Sequence, residues 1–76
     1  MKLETSLDVT LVNTLSRDVD VYWVENAARE VLVFPRLRSG QSTAMQTYEG
    51  HAFFFAEVGK GRDAILQVLA IIPFTD

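Results

Sequence analysis

A single histidine precedes a run of aromatic residues within residues 46–55, and this stretch could bind a ligand. Gly50, directly before His51, indicates a tight turn, because glycine tolerates the positive φ angle that closes such turns. Side chains alternate between the two faces of a strand, so a strand after the turn would place His51 and Phe53 on one face and Phe54 on the other. An imidazole beside a benzyl ring at the mouth of a turn predicts a recognition site.

The remaining residue types give little support for catalysis. The chain has one histidine, no cysteine and no glycine-rich phosphate loop, and its carboxylates are scattered along the sequence. A metal site needs several converging ligands, which a lone histidine does not provide. We therefore expect a protein that is not an enzyme and that holds neither a cofactor nor a metal ion.

Length and composition predict one small domain that spans residues 1–76. Hydrophobic residues make up 49% of the chain, enough for a packed core and too many for a disordered segment. The net charge is −3 and the basic residues are scattered, so the basic face that nucleic-acid binding requires is missing. The longest apolar run is far short of the roughly 20 residues that span a bilayer. Since a chain without cysteine is compatible with a reducing cytosol, we expect a soluble cytoplasmic domain that binds no nucleic acid and no membrane.

The apolar residues predict short strands separated by turns. Residues 7–15 alternate as in a half-buried strand, and residues 19–24 show the clearest two-residue period. In this pattern Asp18 and Asp20 point to water, where they would protect an edge. Further strands are expected within residues 31–34, 41–47, 51–58 and 64–74, with a loop at residues 25–30.

These elements predict an all-β fold. Six or seven short, mostly antiparallel strands with turns every 8–12 residues are typical of a small β-sandwich, and a small barrel is the alternative. Residues 63–69 could be helical by propensity alone, but the surrounding pattern is that of strands throughout. We place Phe54 and Phe55 in the core of this sandwich.

Three sequence blocks follow one another in a fixed order. They are Val12-Asn13 followed by Trp23 with a Ser-Arg turn between, Phe34-Pro35 followed by Gly40, and Tyr48-Glu49-Gly50-His51 followed by Phe53 and Phe55. Together they resemble the β-domain of the von Hippel–Lindau tumour suppressor family, whose third block reads Ser-Tyr-Arg-Gly-His-Leu-Trp-Leu-Phe. The resemblance covers residues 9–66 and needs one extra residue between Trp23 and Phe34.

This resemblance implies a β-sandwich that captures an extended peptide containing 4-hydroxyproline. In that family two tryptophans wall an aromatic pocket, a serine and a histidine hydrogen-bond the hydroxyl group of the proline ring, and a tyrosine bonds the peptide backbone. Matched by position, Trp23 is a retained wall and His51 a retained hydroxyl partner. Thr47 takes the place of the serine, Phe53 that of the second tryptophan and Phe34 that of the tyrosine, and Tyr48 is expected to flank the pocket.

The substitutions within this pattern change the expected affinity. Phe34 lacks the tyrosine hydroxyl, and one neutral hydrogen bond contributes about 0.5–1.5 kcal/mol, so affinity would fall about two- to tenfold. Thr47 and His51 keep a polar pair that plain proline would leave unpaired. If the pair is desolvated, this costs about 1–3 kcal/mol, which is compatible with selection of hydroxyproline.

Other interpretations stay open. Animal members of the family continue into a helical domain that docks a ubiquitin-ligase adaptor, whereas this chain ends at Asp76, so we expect no adaptor binding through that surface. Either the domain is part of a longer protein or it works alone. The alternative function is a structural or self-association module that keeps the fold but has lost hydroxyproline recognition. A small-molecule site in the same aromatic cleft is a third possibility.

Overall fold

The computed structural model describes residues 6–71, and this part of the chain forms six β-strands. In chain order they are β1 (Leu7–Val12), β2 (Val19–Asn26), β3 (Arg29–Leu37), β4 (Ser42–Thr47), β5 (Ala52–Glu57) and β6 (Ile65–Ala70). A short 3₁₀ turn, Gly61–Ala64, precedes β6. Residues 65–70 therefore form a strand and not a helix, as the sequence predicts, while the predicted segment beyond residue 71 lies outside the described residues.

The strands form two antiparallel sheets. One contains β1 and β4, and the other has the order β3-β2-β5-β6. The core lies between them and is built from buried apolar side chains of both sheets: Leu11, Val19, Val21, Leu37, Phe53 and Phe55. Burial of alternate residues from two facing sheets defines a small β-sandwich, so the predicted fold class is confirmed.

The central strands β2 and β5 determine which side chains face this core. Val21 lies opposite Phe55 and Trp23 lies opposite Phe53, so these four side chains share the inner face. Phe54 is also buried, but on the outer face, where its ring stacks on that of Tyr22 at 5.0 Å. The predicted burial of Phe54 is therefore correct, although it is separated from the main core by the sheet itself.

The expectation that Asp20 points to water is wrong. Asp20 is buried, and β2 lies in the middle of its sheet, so it has no edge to protect. The Oδ1 atom of Asp20 accepts the Arg36 N–H at 2.8 Å, and its Oδ2 atom accepts the Gly59 N–H at 3.0 Å. Arg36 has a φ angle of +52° next to a register shift in β3, so the carboxylate satisfies one backbone donor of this irregular strand and a second donor, at Gly59, in the turn after β5.

The connection between β2 and β3 is the predicted loop, reduced to a two-residue turn. Ala27 and Ala28 form this turn, and the Oδ1 atom of Asn26 accepts the Ala28 N–H at 2.8 Å. The third strand is longer than the predicted residues 31–34, because β3 continues through Pro35 to the buried Leu37. Proline is tolerated there because β3 is an edge strand.

Gly40 forms a turn that starts β4. The Gln41 N–H donates to the Arg38 carbonyl at 2.9 Å, and Gly40 has a φ angle of +81°. The Gly40 N–H donates to the Asn13 carbonyl, while the Asn13 N–H donates to the Gln41 carbonyl, at 2.8 and 2.9 Å. Gly40 is thus the first residue of a glycine bulge opposite Asn13, a geometry that requires a left-handed residue.

Asn13 fills the space behind this turn. It is fully buried, its Nδ2 atom donates to the Leu37 and Arg17 carbonyls at 2.9 and 2.8 Å, and its Oδ1 atom accepts the Leu15 N–H at 3.0 Å. The sequence identifies Asn13 only as a turn former and as part of a family block. In the structure it joins the end of β1, the following turn and the end of β3.

Candidate functional site

An open cleft of about 470 Å³ lies between β3 and β4. All six residues singled out in the sequence line it: Trp23, Phe34, Thr47, Tyr48, His51 and Phe53. Tyr48, which is expected only to flank the pocket, is thus part of its lining. The structure therefore brings together side chains from β2, β3, β4, β5 and the turn between β4 and β5. It adds Val33, which the sequence does not indicate, and four residues of the predicted strand 41–47: Thr43, Ala44, Met45 and Gln46.

Trp23 and Phe53 form adjacent parts of the cleft lining because they are cross-strand partners on the inner face of β2 and β5. Phe53 is buried and belongs to the core, while the half-buried Trp23 packs against it. Trp23 therefore packs against the core and also lines the cleft. Its Nε1 donor is buried and has no hydrogen-bond partner among the described residues.

Phe34 reaches the cleft because β3 contains a bulge. Tyr22 pairs with Leu32, but Val21 pairs with Phe34, so Val33 is one extra residue in β3. Without the extra residue, strict alternation would turn Phe34 to the outer face. The bulge keeps Phe34 on the cleft side, where its side chain is 37% exposed.

The Gly50 turn positions His51. The His51 N–H donates to the Tyr48 carbonyl at 3.2 Å, and Gly50 has a φ angle of +87°, as at the third position of a type II turn. The Gly50 N–H donates to the Ile71 carbonyl at 2.8 Å, and the Ile71 N–H donates to the His51 carbonyl at 2.9 Å. The turn predicted from Gly50 is confirmed, and it is a glycine bulge that fixes His51 next to the first residue of β5.

Three neighbours hold the imidazole of His51. Its Nδ1 atom lies 3.1 Å from the Thr47 Oγ1 atom, and the two share a hydrogen bond whose direction depends on the imidazole tautomer. The Trp23 ring lies 5.5 Å away at a tilt of 36°, and the Tyr48 ring approaches edge-on at 5.4 Å. Thr47 is 3% exposed, so the polar pair is partly desolvated at the base of aromatic walls.

The lining is otherwise uncharged. None of the cleft residues is an aspartate, glutamate, lysine or arginine. A mostly apolar cleft with a few converging polar groups suits a neutral, partly apolar ligand segment. The arrangement can therefore hold a small ring against aromatic surfaces and offer it one hydrogen-bonding pair.

The free edge of β4 runs along the cleft. Within the described residues β4 pairs only with β1, and residues from both of its faces, from Thr43 to Thr47, line the cleft. The Asn13 N–H donates to the Gln41 carbonyl, so Asn13 and Gln41 form a hydrogen-bonded pair at the end of the β1–β4 ladder. Because such pairs alternate in antiparallel sheets, the backbone groups of Ser42, Ala44 and Gln46 point to the open edge.

Comparison with known proteins gives no match: no family model, no curated protein and no solved structure is significantly similar to the chain. Within residues 6–71, no helix is long and apolar enough to cross a membrane. The same residues contain no group of three or more histidine, cysteine or acidic side chains placed to hold a metal ion.

Proposed function

We propose that this domain is a non-enzymatic peptide-binding module, and that its cleft takes the ring of a proline or 4-hydroxyproline in an extended peptide. The proposal extends the resemblance to the von Hippel–Lindau β-domain. The observation that supports it most is the convergence of Trp23, Phe34, Thr47, His51 and Phe53 on one cleft. These residues come from distant parts of the sequence, and the resemblance assigns each of them to the same pocket.

The walls suit a proline ring. Trp23, Phe34, Phe53 and Tyr48 present aromatic surfaces, and Phe34 and Tyr48 are each more than a third exposed before any ligand arrives. Proline-containing segments are already extended, so they lose little conformational entropy when they enter an aromatic groove. A cleft of about 470 Å³ is large enough for the ring and its neighbouring residues.

The open edge of β4 would hold the peptide backbone. Backbone groups of Ser42, Ala44 and Gln46 face this edge, and the side chains of these three residues are exposed. A peptide that adds a strand to a sheet edge gains affinity from main-chain hydrogen bonds and specificity from pockets for alternate side chains. The proline ring would then enter the aromatic end of the cleft while its flanking residues pair with β4.

The polar pair sets a modest preference for hydroxyproline. The sequence-based figure of about 1–3 kcal/mol applies if plain proline leaves Thr47 and His51 unpaired. In the structure they bond each other at 3.1 Å, so an unhydroxylated ring leaves neither without a partner. The hydroxyl of Thr47 retains further hydrogen-bonding capacity, and one added bond contributes about 0.5–1.5 kcal/mol, or about a two- to tenfold preference.

Matched proline and hydroxyproline peptides test the proposal. Trp23 is the only tryptophan and lines the cleft, so its fluorescence should report binding of both peptides. Phe34→Ala should weaken binding about tenfold by removing a wall, whereas Leu32→Ala, which removes an exposed side chain from the other face of β3, should leave it unchanged. If neither peptide binds, the proposal is contradicted. If both bind equally, the cleft recognises a proline ring but not its hydroxyl group.

A further inference from the structure

The two edges of the four-stranded sheet differ in how they are protected. At the β3 edge, Arg29 and Glu30 carry charges at one end, and Pro35 and Arg36 interrupt the strand at the other. Charges, proline and bulges on an edge strand are the features by which proteins prevent unwanted strand pairing. This edge is therefore unsuited to pairing with another chain.

The β6 edge has no charged residue. Residues 65–71 read Ile-Leu-Gln-Val-Leu-Ala-Ile, and Val68 in their centre is 68% exposed, more than any other large hydrophobic residue among those described. Within residues 6–71, β6 pairs only with β5. A neutral, apolar edge strand with exposed side chains is a surface that other strands can pair with.

The backbone of β6 is correctly oriented for such pairing. The Ile71 N–H donates to the His51 carbonyl, so alternation makes Phe53–Leu69 and Phe55–Gln67 the hydrogen-bonded pairs with β5. The N–H and C=O groups of Val68 and Ala70 consequently point away from β5, to the free edge.

We propose that β6 pairs antiparallel with β6 of a second copy of this chain, about a two-fold axis at Val68. This register pairs the whole neutral stretch 65–71 with itself, so no charged side chain faces another. Val68 of each copy then lies opposite Val68 of the other, which removes the most exposed apolar side chain from water. A two-fold interface closes on itself, and the protected β3 edge does not extend the sheet further.

Pairing through β6 leaves the cleft free. β6 and β3 are opposite edges of the sheet, and the cleft lies on the β3 side, next to β4. The dimer would present two clefts, so a partner with two proline-containing segments would gain avidity. The dimer itself does not depend on what the cleft binds.

Sedimentation of the free protein tests the dimer. As the protein concentration is raised to the millimolar range, the mass of the wild type should rise to twice 8.5 kDa. Val68→Lys should raise the dissociation constant at least about tenfold, because like charges would lie directly opposite each other. Leu32→Lys places the same charge on an exposed residue of β3 and should leave the dimer unchanged. A monomeric wild type, or a Val68→Lys variant that dimerises as the wild type does, would overturn the proposal.

Disulfide trapping tests the register even if the lysine variant does not fold. The chain contains no cysteine, so single-cysteine variants can cross-link only through the introduced residue. The Cα atoms of two directly opposed residues in a hydrogen-bonded pair are about 5.5 Å apart, which a disulfide can bridge, so Val68→Cys should form a disulfide-linked dimer on oxidation. Ala70 lies on the same face of the strand, but in this register it is opposite Leu66 of the second copy, so the two introduced cysteines of Ala70→Cys are too far apart to form a disulfide. This variant should therefore stay monomeric under denaturing conditions. Equal cross-linking of the two variants would contradict this pairing.

Discussion

The Gly40 and Gly50 turns share one backbone geometry but differ in what their side chains do. In each, glycine has a φ angle above +80° and begins a bulge opposite a residue of a neighbouring segment. Opposite Gly40 lies Asn13, whose side chain bonds three backbone groups and has no exposed surface. Beside Gly50, His51 shares a hydrogen bond with the Thr47 side chain and lines an open cleft.

Under the proposed function, this difference separates a turn that stabilises the fold from a turn that also contributes to a binding cleft. At Asn13 every polar atom is used within the fold, so nothing remains for a ligand. At the Thr47–His51 pair one hydrogen bond joins two groups that each have further capacity. Changes at the Gly40 turn should therefore alter stability, and changes at the Gly50 turn should also alter peptide binding.

The largest expected effect is on stability at Asn13. Asn13→Ala removes three side-chain hydrogen bonds and leaves buried backbone groups unpaired, so we expect a loss of about 2–4 kcal/mol in the free energy of unfolding. Urea denaturation followed by Trp23 fluorescence measures it. The control Asn26→Ala removes one exposed hydrogen bond and should cost less than about 1 kcal/mol. Similar losses for the two variants would refute the structural role of Asn13.

Substitution of the two glycines sharpens the comparison. A Cβ atom added at Gly40 or Gly50 meets nothing within 4 Å, so Gly40→Ala and Gly50→Ala should each cost only the left-handed strain, about 1–2 kcal/mol. Unfolding curves should show nearly equal losses. Peptide affinity should fall only for Gly50→Ala, because any shift of that turn that relieves the strain also moves His51 and Tyr48, which line the cleft. Equal binding defects in the two variants would show that the turns do not differ in function.

A gain of affinity is expected from Phe34→Tyr. The variant introduces the hydroxyl group with which the tyrosine of the von Hippel–Lindau family bonds the peptide backbone. The side chain at this position is 37% exposed at the cleft. One added hydrogen bond should strengthen peptide binding about two- to tenfold. Calorimetric titration of wild type and variant with one peptide measures this change. An unchanged or weaker affinity would place the peptide backbone away from Phe34.

The smallest effect concerns pH and the outer face. The Arg62 guanidinium donates two hydrogen bonds to the Glu30 carboxylate and lowers the pKa of Glu30 below its usual 4.5. Because the pKa of Glu30 is lower in the folded state than in the unfolded state, this ion pair stabilises the folded state at pH values above 4.5. The stabilisation is lost as the pH falls through the folded-state pKa. Arg62→Gln should be slightly less stable than wild type at pH 7, and this difference should disappear as the pH falls through the folded-state pKa of Glu30. Peptide binding should not change, because neither residue lines the cleft.

The sequence predicted the strands well where one face is buried. The two-residue period of β2 and the alternation of β1 require no knowledge of neighbours. Asp20 was misplaced because its burial depends on two backbone donors, at Arg36 and Gly59, that become adjacent only in the folded sheet. The resemblance indicates one extra residue between Trp23 and Phe34, but the sequence alone does not locate it as a bulge at Val33, since a bulge is a property of strand pairing and not of one strand.

The candidate site was predicted from a pattern of residues and not from their chemistry alone. His51 and Phe53 could be placed together from alternation, whereas Trp23, Phe34 and Thr47 were assigned to the site by the family resemblance. The strand at residues 41–47 is predicted, but the sequence does not show that the backbone groups of Ala44 and Gln46 face its open edge, because this depends on the register between β4 and β1. The mutual bond of Thr47 and His51 was also missed, and it lowers the expected preference for hydroxyproline.

Four titrations test the central claim most directly: proline and hydroxyproline peptides against the wild type and against Thr47→Val. Valine keeps the shape of threonine without its hydroxyl group. The wild type should bind the hydroxyproline peptide about two- to tenfold more tightly, and the variant should bind both peptides equally, with affinity for the proline peptide unchanged. A preference that survives in Thr47→Val, or a wild type that binds neither peptide, would contradict the account.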